Sequence, residues 1–254
     1  MRILLSPAKK MKTDDCGPEP SGLPVFLEDA RIIRDWLKEK SFAELKKLWV
    51  CNDRITQQNM DRLAVMNLRT NLTPAIMAYD GIAFQYMAPT VFETRMLTYV
   101  QEHLRILSGF YGVLKPMDGV TPYRLEMQAK AEIAGTKDLY EYWGDRLYGE
   151  VCDSSGIIIN LASREYFRCI EKYLRPENTC ITCTFAEEEK GRMVQKGVYC
   201  KMARGEMVRF MAEHGTEASE EIREFDRLGY RYHGELSSET EYVFLREGPV
   251  ERMV

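Results

Sequence analysis

Arg124 and Glu126 lie two residues apart in the segment PYRLEM, so an extended backbone points both to the same side. A guanidinium beside a carboxylate can orient a phosphate or share out acid and base roles. The same pair on a surface is an ordinary ion pair that contributes little. Lys201 and Arg204 stand three apart in KMARGEMVRF, where one helix face could clamp a single anion or simply be solvated. Arg192, Lys196 and Arg209 lie near them in the sequence and could extend a basic patch.

Other polar groups fall at the ends of apolar runs. Ser6 and Lys9 follow RILL, Ser108-Gly109 follow LRIL, and Asn160 to Ser163 close GIIIN. In open α/β sheets ligands bind beyond the carboxyl ends of the strands, so these three ends outline a candidate pocket. Ordinary caps and turns use the same residue types. Between Ser108 and Val113 two glycines, Gly109 and Gly112, enclose Phe110 and Tyr111, with Arg105 and Lys115 on either side. Such a loop could expose consecutive N–H groups as an anion nest, with Tyr111 stacking on a base. It could equally be a hairpin with buried aromatics.

The 254 residues carry a formal net charge of −4, so a nucleic-acid partner must be held by a local basic patch. The apolar run at the N-terminus is only Ile3-Leu4-Leu5, and no window approaches the ~20 apolar residues of a membrane span. A cytoplasmic location without membrane contact is expected. Seven cysteines, an odd number in a chain of this size, fit reduced thiols. Cys180 and Cys183 form a lone C-x-x-C on a strand, where i and i+3 point to opposite faces, so they read as core. No metal site, cofactor or protein partner is expected. Iron storage is disfavoured because no Glu-x-x-His pair lies on a helix.

The elements that must hold these groups read as follows. Arg2 to Ser6 is a first strand. Phe26, Ala30, Ile33 and Leu37 recur at helical spacing, Ser41 to Glu44 is a capping box, and a third helix spans Asp53 to Met66. Pro74 to Tyr79 reads as a strand, Thr90 to Glu93 as a capping box for a helix to His103, and Lys137 to Val151 as one helix. Gly156 to Ser163 is a buried strand with Ser163 as the next N-cap. CITCTF and GVYCKMA read as strands, with EEEKGR as the hairpin. ARGEMVRFMAEH is a helix closed by Gly215, a further helix starts at Thr216, and a terminal hairpin follows. The order gives an α/β protein (mixed α+β), a single domain over residues 1–254 with a mixed sheet flanked by helices.

Six blocks in order, SPAK, HLRILSGFYGVLKPMD, PYRLEM, KDLYEYWGD, INLASREYF and KMARGEMVRF, resemble the peroxide stress protein YaaA family over nearly the whole chain. The resemblance implies a cytoplasmic protein of the hydrogen-peroxide response that limits iron-dependent damage. It also implies a helix-hairpin-helix-like element near residues 104–118, a positively charged cleft and binding of double-stranded DNA. Carried onto this chain, Ser108 to Val113 would be the hairpin, although the spacing here is G-x-x-G where such tips are typically G-x-G. The cleft would draw on Lys9, Arg105, Arg124, Lys201 and Arg204. Lys9, as a Schiff-base nucleophile, and Glu126, as its proton shuttle, are the candidate catalytic residues. Two readings stay open: a DNA-binding stress protein, and an enzyme acting on damaged DNA or a nucleotide-like, phosphate-bearing substrate in the same cleft.

Overall fold

A computed structural model describes residues 1–14, 17–189 and 192–246. Its strands are β1 (Arg2–Leu5), β2 (Thr73–Pro74), β3 (Leu104–Ser108), β4 (Gly112–Leu114), β5 (Gly119–Val120), β6 (Ile157–Asn160), β7 (Thr179–Glu189), β8 (Arg192–Val194), β9 (Tyr230–Tyr232) and β10 (Glu241–Arg246). Eight of them form one mixed sheet in the order β4-β3-β1-β6-β7-β10-β9, with β8 paired to β7. The five central strands are mutually parallel, and antiparallel neighbours close both edges. The central runs are buried on both faces, which explains why Ile3-Leu4-Leu5 and Ile158-Ile159 read as continuous apolar stretches. β2 and β5 make a separate two-stranded ladder.

Helices cover the sheet. Ser41 closes a full capping box with Glu44 at the start of Phe42–Trp49, and Asn52 caps Asp53–Ala64. The longest helix, Gly197–His214, ends at Gly215 in the left-handed region (φ 64°). It packs along the short helix Ile82–Met87. Gly205 makes that packing possible, because a Cβ there would stand 2.0 Å from the Ala83 carbonyl oxygen.

The fold is α/β, and several local expectations need correction. Pro74 to Tyr79 is only a two-residue strand followed by the helical turn Ala75–Ala78. The helix expected from Thr90 begins at Thr94, after a 3₁₀ turn over Pro89–Val91. Lys137 to Val151 is two helices, Leu139–Trp143 and Arg146–Val151, broken at Gly144. GVYCKMA is the first turns of Gly197–His214 and not a strand, because tertiary packing against Ile82–Met87 overrides its β-branched and aromatic content. The stretch after Thr216 is a 3₁₀ turn, Ser219–Glu224. The tip of the expected EEEKGR hairpin, residues 190 and 191, lies outside the described residues, as does Cys16.

The element near residues 104–118 is a β-hairpin. The helix Thr94–His103 runs straight into β3, which pairs antiparallel with β4, and no helix follows before Leu139. Helix-hairpin-helix geometry is therefore absent from this segment, since the residues flanking the glycines are in β-ladder register (Ser108 opposite Gly112).

Candidate functional site

β1 has β3 on one side and β6 on the other. The chain leaves β1 toward β3 and leaves β6 toward β7, so a crevice opens at the carboxyl ends of β1 and β6. This is the switch point at which open α/β sheets bind ligands. The two strand ends are tied together there: the Ser163 backbone N–H donates to Ser6 Oγ at 2.8 Å, and Ser6 Oγ donates to Ser163 Oγ at 3.2 Å. Ser163 is the N-cap of Arg164–Glu171, but its side chain makes no cap hydrogen bond and is engaged with Ser6 instead.

A cavity of about 380 Å³ sits over this tie, within the size range of small-molecule sites. Of the residues expected from the sequence, Ser6, Lys9, Arg124, Glu126, Ser163, Lys201 and Arg204 line it together. Much of the remaining wall is apolar or aromatic: Ile82, Phe84, Leu125, Leu161, Tyr123 and Tyr166. Lys201 and Arg204 reach the cavity because Gly205 lets their helix touch the wall carrying Ile82 and Ala83.

Arg124 Nε lies 2.8 Å from Glu126 Oε1, an ion pair without good hydrogen-bond alignment, and both side chains are nearly buried. Arg124 also donates to the Lys9 carbonyl oxygen at 3.4 Å. Arg204 differs from Arg124. Its guanidinium makes no hydrogen bond, ion pair or ring contact among the described residues, and its Nε is fully enclosed. Burial depresses its pKa, with only the Cys200 and Cys183 thiols acting in the other direction. Lys9 and Lys201 are exposed at the mouth and have no carboxylate within ion-pair distance among the described residues.

Glu165, which the sequence reading did not single out, also lines the cavity. It accepts from the Gln128 N–H at 3.3 Å. Burial first, and then the neighbouring Glu126 carboxyl, push its pKa up against the pull of the Gln128 N–H and Lys9. In the sequence its only signal was an acidic residue in the first turn after the Ser163 N-cap, which a helix dipole explains by itself.

The other expected site residues lie elsewhere. Arg105 is buried on β3 and donates to the carbonyl oxygens of Leu104, Gln101, Glu102 and Glu150. Burial and the nearby Arg2 lower its pKa to about 10. Asn160 is buried; its amide donates to Thr182 Oγ1 and its oxygen accepts from the Ala162 N–H. Ser108, Phe110 and Tyr111 are fully buried, and the N–H groups of Phe110 and Tyr111 donate to Ser108 Oγ. The hairpin therefore offers no free N–H nest to a phosphate, and Tyr111 cannot stack on a base. Gly112, at φ 73°, packs against Leu147 and Trp143. Gly109 has a different role: a Cβ there would stand 2.6 Å from the Leu125 carbonyl oxygen. Its missing side chain lets the segment carrying Arg124 and Glu126 lie on the hairpin.

A second, open groove adjoins the cavity and shares Glu165 with it. Lys130, Lys137, Arg164 and Arg168 line it together with Glu132 and Asp138, and Arg168 stacks 4.8 Å over the Tyr140 ring. Among the described residues no group of three or more His, Cys, Asp or Glu is placed to hold a metal ion, and no helix is long and apolar enough to cross a membrane. The six described cysteines are free thiols.

Residues 1–236 match the family described as peroxide stress protein YaaA. A UPF0246 protein of Agathobacter rectalis is 59% identical over 247 residues, covering 97% of this chain and 99% of that protein. UPF0246 proteins of Lachnoclostridium phytofermentans and Ligilactobacillus salivarius are 50% and 46% identical over 246 residues, each covering 97% of this chain and 96% and 100% of their own. With the match running through every strand that builds the crevice up to β9, the chain belongs to the peroxide stress protein YaaA family.

Proposed function

We propose that the cavity between β1 and β6 binds a phosphate-bearing, nucleotide-like molecule, and that this chain serves the cytoplasmic peroxide response by acting on it. The observation that carries this reading is the unpartnered Arg204 guanidinium. An enclosed charge without a counter-ion is costly, and an anion in the cavity would remove that cost. Lys201, one helical turn away, and Lys9 across the mouth add charge for the same anion. The apolar and aromatic remainder of the wall suits a flat ring. Thermal-shift binding with inorganic phosphate, pyrophosphate and the nucleoside monophosphates tests it. Stabilisation by at least one nucleotide that is lost in Arg204→Met supports the reading, and no shift with any of them refutes it.

The four cations of the adjoining groove favour a second reading, in which the nucleotide belongs to double-stranded DNA. Arg164, Arg168, Lys130 and Lys137 would contact flanking phosphates in place of the buried hairpin. Here Lys9 Nζ would add to the aldehyde of a damaged sugar and lose water to form an imine, with Glu126 taking up and returning the proton. Limiting iron-dependent damage would then follow from handling its products. Duplex binding measured across 50–200 mM salt should fall steeply, with log K dropping by roughly 0.9 per phosphate contact. Borohydride trapping on abasic DNA that yields no adduct at Lys9 would remove the imine step.

A further inference from the structure

Beneath the cavity lies a set of buried hydroxyls whose hydrogen-bond directions can be worked out. Ser108 Oγ accepts the backbone N–H groups of Phe110 at 3.1 Å and Tyr111 at 2.9 Å. A hydroxyl has two acceptor positions and one hydrogen, so with both acceptors filled its hydrogen goes to Tyr123 Oη at 2.7 Å. Tyr79 is 2% exposed, and beside its Oη lie Tyr123 Oη at 2.8 Å and the Ser108 hydroxyl, which cannot accept from it because both its acceptor positions are taken. A buried O–H that fails to donate forfeits its desolvation cost, so Tyr79 donates and Tyr123 accepts.

Tyr123 Oη thus accepts twice, and its own hydrogen has no acceptor among the described residues. Around the ring, Phe110 stacks on it at 5.0 Å, and Tyr111 and Tyr79 meet it edge-on. Tyr123 also lines the cavity, which is where an acceptor for that hydrogen can arrive.

We propose that Tyr123 is a hydrogen-bond donor built into the cavity, fixed in direction by Ser108 and Tyr79, and that it recognises a neutral acceptor atom on the flat part of the ligand. Such an atom is a carbonyl oxygen or an unprotonated ring nitrogen. The inference rests on the nucleotide reading for its ligand, not for the direction of the hydrogen. The acceptor is neutral because the Glu126 carboxyl lies close enough to act on the Tyr123 hydroxyl and would repel an anion there. The anion belongs at Arg204, which has no carboxylate partner. In keeping with two donors to one oxygen, Tyr123 is raised by burial only to about 12, whereas Tyr79 and Tyr166 are pushed further above their ordinary value.

Two measurements decide it. Neutron diffraction from deuterated crystals of the full chain would place the Tyr79 deuteron between the two phenol oxygens and the Tyr123 deuteron toward the cavity. A Tyr123 deuteron on the line to Tyr79 would overturn the proposal, and this arm needs no ligand. In the second, Tyr123→Phe should weaken the tightest-binding nucleoside monophosphate about tenfold while inorganic phosphate binds as in wild type. Binding of that nucleotide within twofold of wild type overturns the proposal. If the wild type binds no nucleotide at all, the nucleotide reading fails by itself, and the neutron result alone decides the direction of the Tyr123 hydrogen.

Discussion

Arg105 and Arg204 are both arginines held among buried groups, yet their surroundings are opposite. The guanidinium of Arg105 donates to four backbone carbonyl oxygens and reaches no ligand site. That of Arg204 donates to nothing and faces a cavity. A saturated cation is part of the scaffold, holding the helix Thr94–His103 and the residue Glu150 to β3. An unsaturated one leaves its donors free toward the cavity. Whether a cation's donors are already used separates the two cases, and residue type and sequence position do not.

The largest effect expected from this contrast is on stability. Arg105→Met should cost roughly 3 kcal/mol in denaturant unfolding, because several buried carbonyl oxygens lose their donor at once. Arg204→Met should leave stability within about 0.5 kcal/mol of wild type or raise it, since an uncompensated charge is removed. Similar losses from the two variants would erase the distinction.

The next effect comes from the close approaches that shape the cavity. Gly205→Ala must push its helix off the Ala83 carbonyl, and Gly109→Ala must push the Leu125–Met127 backbone off the hairpin. Each should cost roughly 1–3 kcal/mol. Gly109→Ala should also displace Glu126, so its ligand affinity should fall by more than its loss of stability explains. Unchanged melting of either variant would show that the walls can yield.

A smaller effect concerns pH. Burial raises the Asp118 pKa from 3.8 to about 6, against the pull of the Lys115 N–H, Lys115 and Arg105. For a carboxyl whose folded pKa lies above its unfolded value, the unfolded chain binds fewer protons in between. The associated stability is therefore present below about pH 4 and is lost as pH rises through about 6. Asp118→Asn keeps an acceptor for the Lys115 N–H and should be more stable than wild type at pH 7, by an amount of the order of 1 kcal/mol. The advantage should vanish near pH 4. A constant difference across that range would place the cause elsewhere.

The same contrast explains what could be read from the sequence. Parallel strands such as Ile157–Asn160, and caps such as Ser41 with Glu44, follow from local pattern and were legible. Lys9, Arg124, Glu126, Ser163, Lys201 and Arg204 could be grouped from the sequence because strand ends and short spacings bring polar groups to one crevice, and they line one cavity. Arg105 and the Ser108–Gly112 hairpin were misplaced because a glycine-and-aromatic loop has the same local chemistry whether its N–H groups face solvent or their own serine. Glu165 was hidden because a carboxylate in a first helical turn is commonplace; only the fold sets Glu126 beside it. The Val198-Tyr199-Cys200 stretch favours a strand locally, and the decisive contact is Gly205 with Ala83.

The most direct test of the central claim is isothermal titration of the tightest-binding nucleoside monophosphate into wild type, Arg204→Met and Arg105→Lys. An anion site at Arg204 predicts tight binding by wild type, binding by Arg105→Lys within a few-fold of it, and a loss of at least about tenfold in Arg204→Met. Equal affinity in wild type and Arg204→Met would contradict the claim.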